Sequence, residues 1–341
     1  MSRKVFHHIN APGFLGAFLL SALCLVSGGC ERKATGTPDW SAAGATEPAP
    51  VATPPARVPA QAADATATGP LRFVSYNVEN WLDRSRYSGN PATSGGTKPE
   101  KAKQAVVAVL AAVKPDILGV CEIGEAADLS DLQARLKAAG CDLPHVHHTG
   151  GIDPARRLAL LSRFPITATA KAEKTTYLLN GRTHGMQRGI LDATVRVNGK
   201  DYRFLGVHLK SKRDVQDGDQ EQMRASEAHL LRDHIEGILA GQPETRLVVY
   251  GDLNDTKASA VVKTIQGSGN RADSLVPLAL KDHHGEAWTQ HWDYEDIYSR
   301  FDWILVSKTL KPEVDVKASR VVDEPACDDA SDHRPVMMVL E

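Results

Sequence analysis

The stretch Leu247-Val248-Val249-Tyr250-Gly251-Asp252-Leu253-Asn254-Asp255 constrains the chain more than any other. Residues that favour β structure run without a break into a glycine, then a carboxylate, an amide and a second carboxylate. This is the pattern of a buried strand ending in a polar turn. A buried strand holds its end rigidly. Side chains two apart face the same way, so Asp252 and Asn254 are expected to converge on one point while Leu253 enters the core. Taken alone, such a turn is ordinary Asp/Asn/Gly chemistry. Its weight comes from similar strand ends elsewhere in the chain.

At the N-terminus, Arg3 and Lys4 precede an apolar run from Phe14 to Val26, and Ser27-Gly28-Gly29 lead into Cys30. Basic, apolar, then small is the order of a secretory signal, and the apolar run is short for a membrane span. Residues 1–29 are therefore read as a signal peptide, in one of two forms. In the lipoprotein form Cys30 carries lipid and tethers the protein to a membrane. In the other, cleavage after Gly29 is ordinary, since Ser27 stands where lipoprotein signals prefer an aliphatic residue. Both forms export the protein, to the periplasm, the outer membrane or the medium. Residues 30–70 are rich in Ala, Pro and Thr and poor in large apolar side chains. Such a segment cannot offset its ordering entropy and is expected to be a disordered linker. Residues 71–341 are then one large α/β domain, expected to act as a monomer.

The formal net charge of −2 gives no whole-chain basic footprint, which argues against tight, non-specific nucleic-acid binding. Of the five cysteines, Cys24 and Cys30 belong to the signal region, leaving Cys121, Cys141 and Cys327. At most one disulfide can form, so the domain is held by its core.

Periodicity predicts a strand from Leu71 to Val78, a helix from Lys98 to Val113, a strand from Asp116 to Cys121 and a helix from Ala126 to Ala139. Strands follow at 158–162, 166–172, 190–197 and 202–207, then a long amphipathic helix at 220–239 and the strand 247–250. Strands at 302–306, 314–322 and 336–340 close the chain. Short connections imply largely antiparallel pairing, in two sheets packed face to face with helices outside.

The chemistry sits at strand ends. Asn77 and Glu79 end the first strand two residues apart, and Glu122 ends the apolar strand that starts near Asp116. Asp302 begins a strand, and Asp332-His333 precede the last one, with Pro335 keeping the pair out of a helix. His147, His148, His283 and His284 are read as surface or packing residues. Strand ends rich in oxygen ligands, with no cysteine-rich pattern, imply a hard cation, Mg2+ or Mn2+, rather than zinc.

These motifs together resemble the endonuclease/exonuclease/phosphatase superfamily: Tyr76-Asn77-Val78-Glu79, Cys121-Glu122, Gly206-Val207-His208-Leu209-Lys210-Ser211, Gly251-Asp252-Leu253-Asn254, Phe301-Asp302-Trp303 and Ser331-Asp332-His333-Arg334-Pro335. The resemblance implies a four-layer α/β/β/α sandwich of two mixed, largely antiparallel sheets, and metal-dependent phosphoester cleavage. It implies that Glu122 is the principal metal ligand, with Asn77 and Glu79 nearby and Asp332 liganding or supporting the ion. Asp252 would orient or deprotonate water, Asn254 would hold a phosphoryl oxygen, and His333, paired to Asp302, would stabilise developing charge. His208, in its His-Leu context, resembles the secreted nuclease, sphingomyelinase and inositol phosphatase branches, where that residue contacts the phosphate or leaving group. Arg188 and Lys210 are candidate phosphate contacts.

For the substrate, DNA or RNA is the first expectation, since Lys210, Lys212 and Arg213 could lie along a phosphate backbone. A sphingomyelinase-like or inositol-phosphate-type phosphoesterase is the alternative, set back because no exposed aromatic hairpin is expected. A catalytically inactive binding module would need a missing motif residue, and none is missing.

Overall fold

The computed structural model describes residues 56–57, 66–87, 96–216 and 218–341. The signal peptide, Cys30 and most of the expected linker lie outside them. Within the linker stretch, Ala56–Arg57 pair with Thr169 and Ala168. Further along, the backbone N–H of Ala67 donates to Asn198 Oδ1 at 2.9 Å, and Asn198 Nδ2 donates back to the Ala67 carbonyl at 3.1 Å. The described residues all belong to one compact unit, Ala49–Glu341.

Strands that are apolar at both parities end up covered on both faces. In Arg246–Asp252, Leu247 and Val249 enter a core shared with the helices Gln220–Gly241 and Ala260–Gln266, whereas Val248 and Tyr250 enter the core between the sheets. In Leu71–Trp81, Val74, Tyr76 and Val78 meet the helices Glu100–Val113 and Ala126–Ala138, and Leu71 and Phe73 face the other sheet. Two outer cores and one central core make the four layers of an α/β/β/α sandwich.

The first sheet runs Ala56–Arg57, Ile166–Ala170, Ile190–Val197, Lys200–His208, Arg246–Asp252, Asp302–Ser307, Leu275–Pro277. The second runs Val314–Val321, Val336–Leu340, Leu71–Trp81, Ile117–Ile123, Arg157–Ser162, His145–Thr149. Each contains one parallel pair among the described residues, Lys200–His208 with Arg246–Asp252 and Leu71–Trp81 with Ile117–Ile123. Between the sheets, the Tyr250 ring occupies the space that side chains at Gly119 and Gly206 would need. An added Cβ would lie 2.1 Å from the ring at Gly119 and 2.6 Å from the hydroxyl oxygen at Gly206. Two glycines thus let the sheets close on one aromatic ring.

Two features depart from the sequence reading. The stretch His145–Thr149 is an edge strand, in which the His148 ring contacts the Gly124 carbonyl at 2.9 Å. Cys121, Cys141 and Cys327 are all buried and unpaired, which agrees with the limit of at most one disulfide. The expectation of no exposed aromatic hairpin is corrected: Gln290–Trp292 and Ile297–Ser299 form one, with Trp292, Tyr294 and Tyr298 exposed by 50%, 83% and 51%. Asp293, Glu295 and Asp296 interleave with the aromatic residues and disguise the hairpin as a polar loop. Among the described residues no helix is long and apolar enough to cross a membrane.

Candidate active site

The central core ends in polar groups, and the strand period explains why. The alternation that sends Val248 and Tyr250 between the sheets brings Asp252 to the same face. By the same count Phe73 leads to Asn77, Phe204 to His208, and Ile304 back to Asp302. Register aligns them: His208 is opposite Asp252, and Asp252 is opposite Asp302, on three adjacent strands. Adjacent strands lie about 4.8 Å apart. Asn77 arrives from the facing sheet.

Asn77 is the hub. Its Nδ2 lies 3.1 Å from Asp252 Oδ2, 3.4 Å from Glu122 Oε1 and 3.5 Å from His333 Nε2. His333 Nδ1 pairs with Asp302 Oδ2 at 2.7 Å, and its Nε2 faces Asp252 Oδ2 at 3.7 Å. His208 Nε2 is 3.5 Å from the same Asp252 oxygen and 4.0 Å from Glu122 Oε1. Ser331 fixes the turn: its hydroxyl donates to the Asn77 carbonyl at 2.8 Å and accepts from His333 N–H at 3.1 Å. Thr289 does the same for the dyad acid, its hydroxyl oxygen accepting the Asp302 N–H at 3.0 Å.

The backbone is bent to make this convergence. Glu79, Asn80, Glu122 and Asn254 all have left-handed φ, at 45°, 56°, 63° and 50°, a conformation that costs non-glycine residues free energy and clusters at functional sites. Gly251 has φ 127°, and a Cβ there would sit 1.9 Å from the Val207 carbonyl oxygen.

Burial pushes the Asp252 carboxyl up to about 7, partly offset by the His333 charge. Burial pulls the His333 imidazole down, but attraction to Asp302 and then Asp252 outweighs it and holds the ring well above its ordinary value. His208 is driven the other way, first by burial and then by the Arg188 charge, and stays neutral. The site therefore presents a cationic imidazole, a neutral one, and a carboxyl poised to exchange a proton near neutral pH.

Toward Glu122 the character becomes anionic. Burial raises the Glu79 carboxyl; Lys98, at 3.4 Å, opposes this, while Asp332 and Glu122 raise it further. Carboxylates that repel one another around a shared space suit a cation. Among the described residues no three His, Cys, Asp or Glu side chains form a ready cage, and Mg2+ needs none, since it keeps several waters and takes one or two carboxylates. Glu122, with Asn77, Glu79 and Asp332 around it, fits that kind of site.

The other sequence candidates are placed as follows. Asn254 donates its N–H to Asp252 Oδ1 at 2.8 Å and turns its side-chain Nδ2 to the Leu209 carbonyl at 3.0 Å. Arg188 is buried, with Nε 3.3 Å from Asp153 Oδ2. Lys210 Nζ donates to the carbonyls of Ser211 and Arg213 at 3.0 Å each, so its ammonium is engaged by the turn that follows it. Sequence reasoning missed Arg156 and Asn80. Arg156 Nε reaches Asn80 Oδ1 at 2.9 Å and Glu122 Oε2 at 3.6 Å, while Asn80 N–H donates to that same glutamate oxygen at 3.0 Å. Asn80 was visible as the residue after Glu79; Arg156, on a loop before an apolar run, carried no signal.

The model of the Endonuclease/Exonuclease/phosphatase family matches residues 75–333. No curated protein matches the sequence. Among solved structures, a mutant beta toxin from Staphylococcus aureus with bound magnesium ions is similar at TM-score 0.53 and 18% identity, covering 80% of this chain and 100% of that one. Sphingomyelinase C from Streptomyces griseocarneus is similar at 0.52 and 16%, covering 80% and 100%. The catalytic domain of human Nocturnin, with bound sulfate, is similar at 0.54 and 19%, covering 80% and 94%. These likenesses show the fold, and the family match spans every motif from Asn77 to His333. The chain belongs to the endonuclease/exonuclease/phosphatase family and is a metal-dependent hydrolase of phosphoester bonds.

Proposed function

We propose that the protein is an exported, Mg2+-dependent phosphodiesterase with nucleic acid as its first substrate class. The observation that carries the reading is the convergence of Asn77, Asp252 and His333 within 3.1 to 3.7 Å of one another. Asp252 takes the proton of the attacking water. His333, held charged by Asp302, and the Asn77 amide donate to the phosphoryl oxygens as charge develops. Mg2+ at Glu122 would polarise a phosphoryl oxygen; the oxygen donor set and the magnesium in the related beta toxin structure support that choice. Export is supported by the basic, apolar and small segments ahead of Cys30, and is checked by fractionating cells that make the wild type or Cys30→Ser.

Nucleic acid is supported by the exposed Lys212 and Arg213 beside the His208 strand end, where a polyanion would release counterions. The exposed aromatic hairpin favours a second reading, a lipid phosphodiester, because Trp and Tyr suit an interface that is apolar on one side and wet on the other. Assaying the purified protein on DNA, RNA, sphingomyelin and inositol phosphates, with and without EDTA, decides between them. EDTA-sensitive cleavage of DNA or RNA supports the first reading, and turnover of sphingomyelin alone replaces it with the second. Failure on all four overturns the proposal.

A further inference from the structure

The helix Gln220–Gly241 covers the outer face of the first sheet and supplies none of the residues that converge on Asn77. Three of its charged side chains are nevertheless buried, Arg224, Glu227 and Arg232, and the first two lie three positions apart and therefore on one face. Glu227 is 0% exposed. Its Oε1 accepts the backbone N–H of Gln187 at 2.8 Å, and its Oε2 accepts that of Lys210 at 2.7 Å. Arg224 Nη1 donates to the Lys210 carbonyl at 3.2 Å, and its Nε donates to Asp255 Oδ2 at 3.0 Å. The backbone of Lys210 is thus gripped at both its N–H and its C=O.

The gripped positions share one property: each adjoins a residue at the site. Gln187 precedes Arg188, Lys210 lies two residues beyond His208, and Asp255 follows Asn254 and the Asp252 strand end. Arg188 and Lys210 are also close enough to His208 for their charges to act on its imidazole. A buried carboxylate is costly, and an apolar side chain would fill the same space without that cost. What only a carboxylate supplies is an acceptor at both terminal atoms; a glutamine offers one acceptor and one donor. Two inward-pointing N–H groups from separate loops call for the first and reject the second.

We propose that Arg224 and Glu227 form a positioning clamp that sets the spacing of Arg188, His208 and the Asp252–Asn254 turn around the substrate phosphate. The inference rests on the phosphodiesterase reading above. Neither residue touches the reacting atoms. They act by fixing three loops relative to one another, and a misplacement of about 1 Å can cost roughly 10²-fold in rate.

The test uses the full chain with Glu227→Gln, Arg224→Lys and a control, Asp192→Asn. Asp192 is buried in a separate network, bonded to Arg203 at 2.8 and 2.6 Å and to His234 at 2.8 Å. Five quantities are read: Tm, kcat and KM on bis(4-nitrophenyl) phosphate with Mg2+, and the calorimetric affinities for inorganic phosphate and for Mg2+. Glu227→Gln is expected to lower kcat by roughly 10²-fold and to weaken phosphate binding, with Mg2+ affinity unchanged because Glu122 stands on the other sheet. Asp192→Asn is expected to lower Tm while leaving kcat per folded molecule unchanged. Should Glu227→Gln fail to fold, Arg224→Lys is read the same way, since lysine keeps the charge but cannot span Lys210 and Asp255 together. Wild-type kcat and phosphate affinity in a folded clamp variant would overturn the clamp, as would a loss that Asp192→Asn reproduces at equal Tm. A wild type that binds phosphate but hydrolyses no phosphodiester would overturn the functional reading instead, and the phosphate titration would still decide the clamp.

Discussion

The Asn77 amide donates to Asp252 Oδ2 across 3.1 Å and so joins the two sheets at the floor of the site. The other Asp252 oxygen already accepts the Asn254 N–H at 2.8 Å. Oδ2 is therefore the oxygen that faces His208, His333 and the substrate space. A donor to the charged carboxylate favours its ionised form. Asn77→Ala is expected to lower kcat and to move the acid limb of the pH–rate profile to higher pH. An unmoved limb in a folded variant would show that the amide does not act on Asp252.

Asp302 and His333 lie 2.7 Å apart, and on the proposed mechanism they act as one unit. Residues that act as a unit give non-additive losses. His333→Ala is expected to cost roughly 10² to 10⁴-fold in kcat/KM, the range typical of general acid–base groups. The double variant with Asp302→Ala should be scarcely worse than His333→Ala alone. Multiplicative losses in the cycle would refute the dyad.

The pH profile follows from the same groups. The proposed mechanism requires Asp252 ionised and His333 charged, so kcat/KM should fall below about 7, where the buried carboxyl protonates. It should fall again at high pH, as His333 loses the charge that Asp302 and Asp252 sustain against burial. Stability carries its own sign. An unfolded Asp titrates near about 3.9, so between that pH and the folded value the folded chain holds the extra proton. Over that window the stability contributed by Asp252 falls as pH rises. Chemical denaturation of wild type and Asp252→Asn across this range should show the fall lessened in the variant.

Gly251 is predicted to be the least replaceable glycine at the site. At φ 127° with Val207 O 1.9 Å from a built Cβ, alanine would strain its own backbone and push the His208 strand away from the Asp252 strand. Gly251→Ala should destabilise by more than about 1 kcal/mol and lower kcat beyond the folded fraction lost. Near-normal Tm and kcat would mean that the strand end is more plastic than drawn.

Much of this was legible in the sequence because strands alternate strictly. Asn77, Asp252 and Asp302 could be placed on one face by counting in twos, whereas Glu122, one residue past Cys121, comes in through its left-handed backbone; Ile190–Val197 and Val336–Leu340 have the expected bounds. Pairing Asp302 with His333 rested on the family resemblance, since the partners are 31 residues apart. Loop-borne partners were not legible. Arg156 reaches Glu122 from a loop with no periodic signal, and Lys210, basic and beside His208, turns its ammonium to the following loop. The Gln290–Ser299 hairpin was hidden for a compositional reason, its aromatic side chains alternating with acids.

The central claim is metal-dependent phosphodiester hydrolysis at the Asn77, Asp252 and His333 convergence, with the ion held at Glu122. The most direct test is kcat/KM on bis(4-nitrophenyl) phosphate for wild type, Asp252→Asn and Glu122→Gln across a Mg2+ titration after EDTA treatment, with folding checked by circular dichroism. Wild type should lose turnover in EDTA and regain it with Mg2+ or Mn2+. Glu122→Gln should need more metal to reach its maximum, and Asp252→Asn should stay roughly 10²-fold or more below wild type at saturating metal. Turnover that survives EDTA, or folded Asp252→Asn with wild-type kcat/KM, would contradict the account.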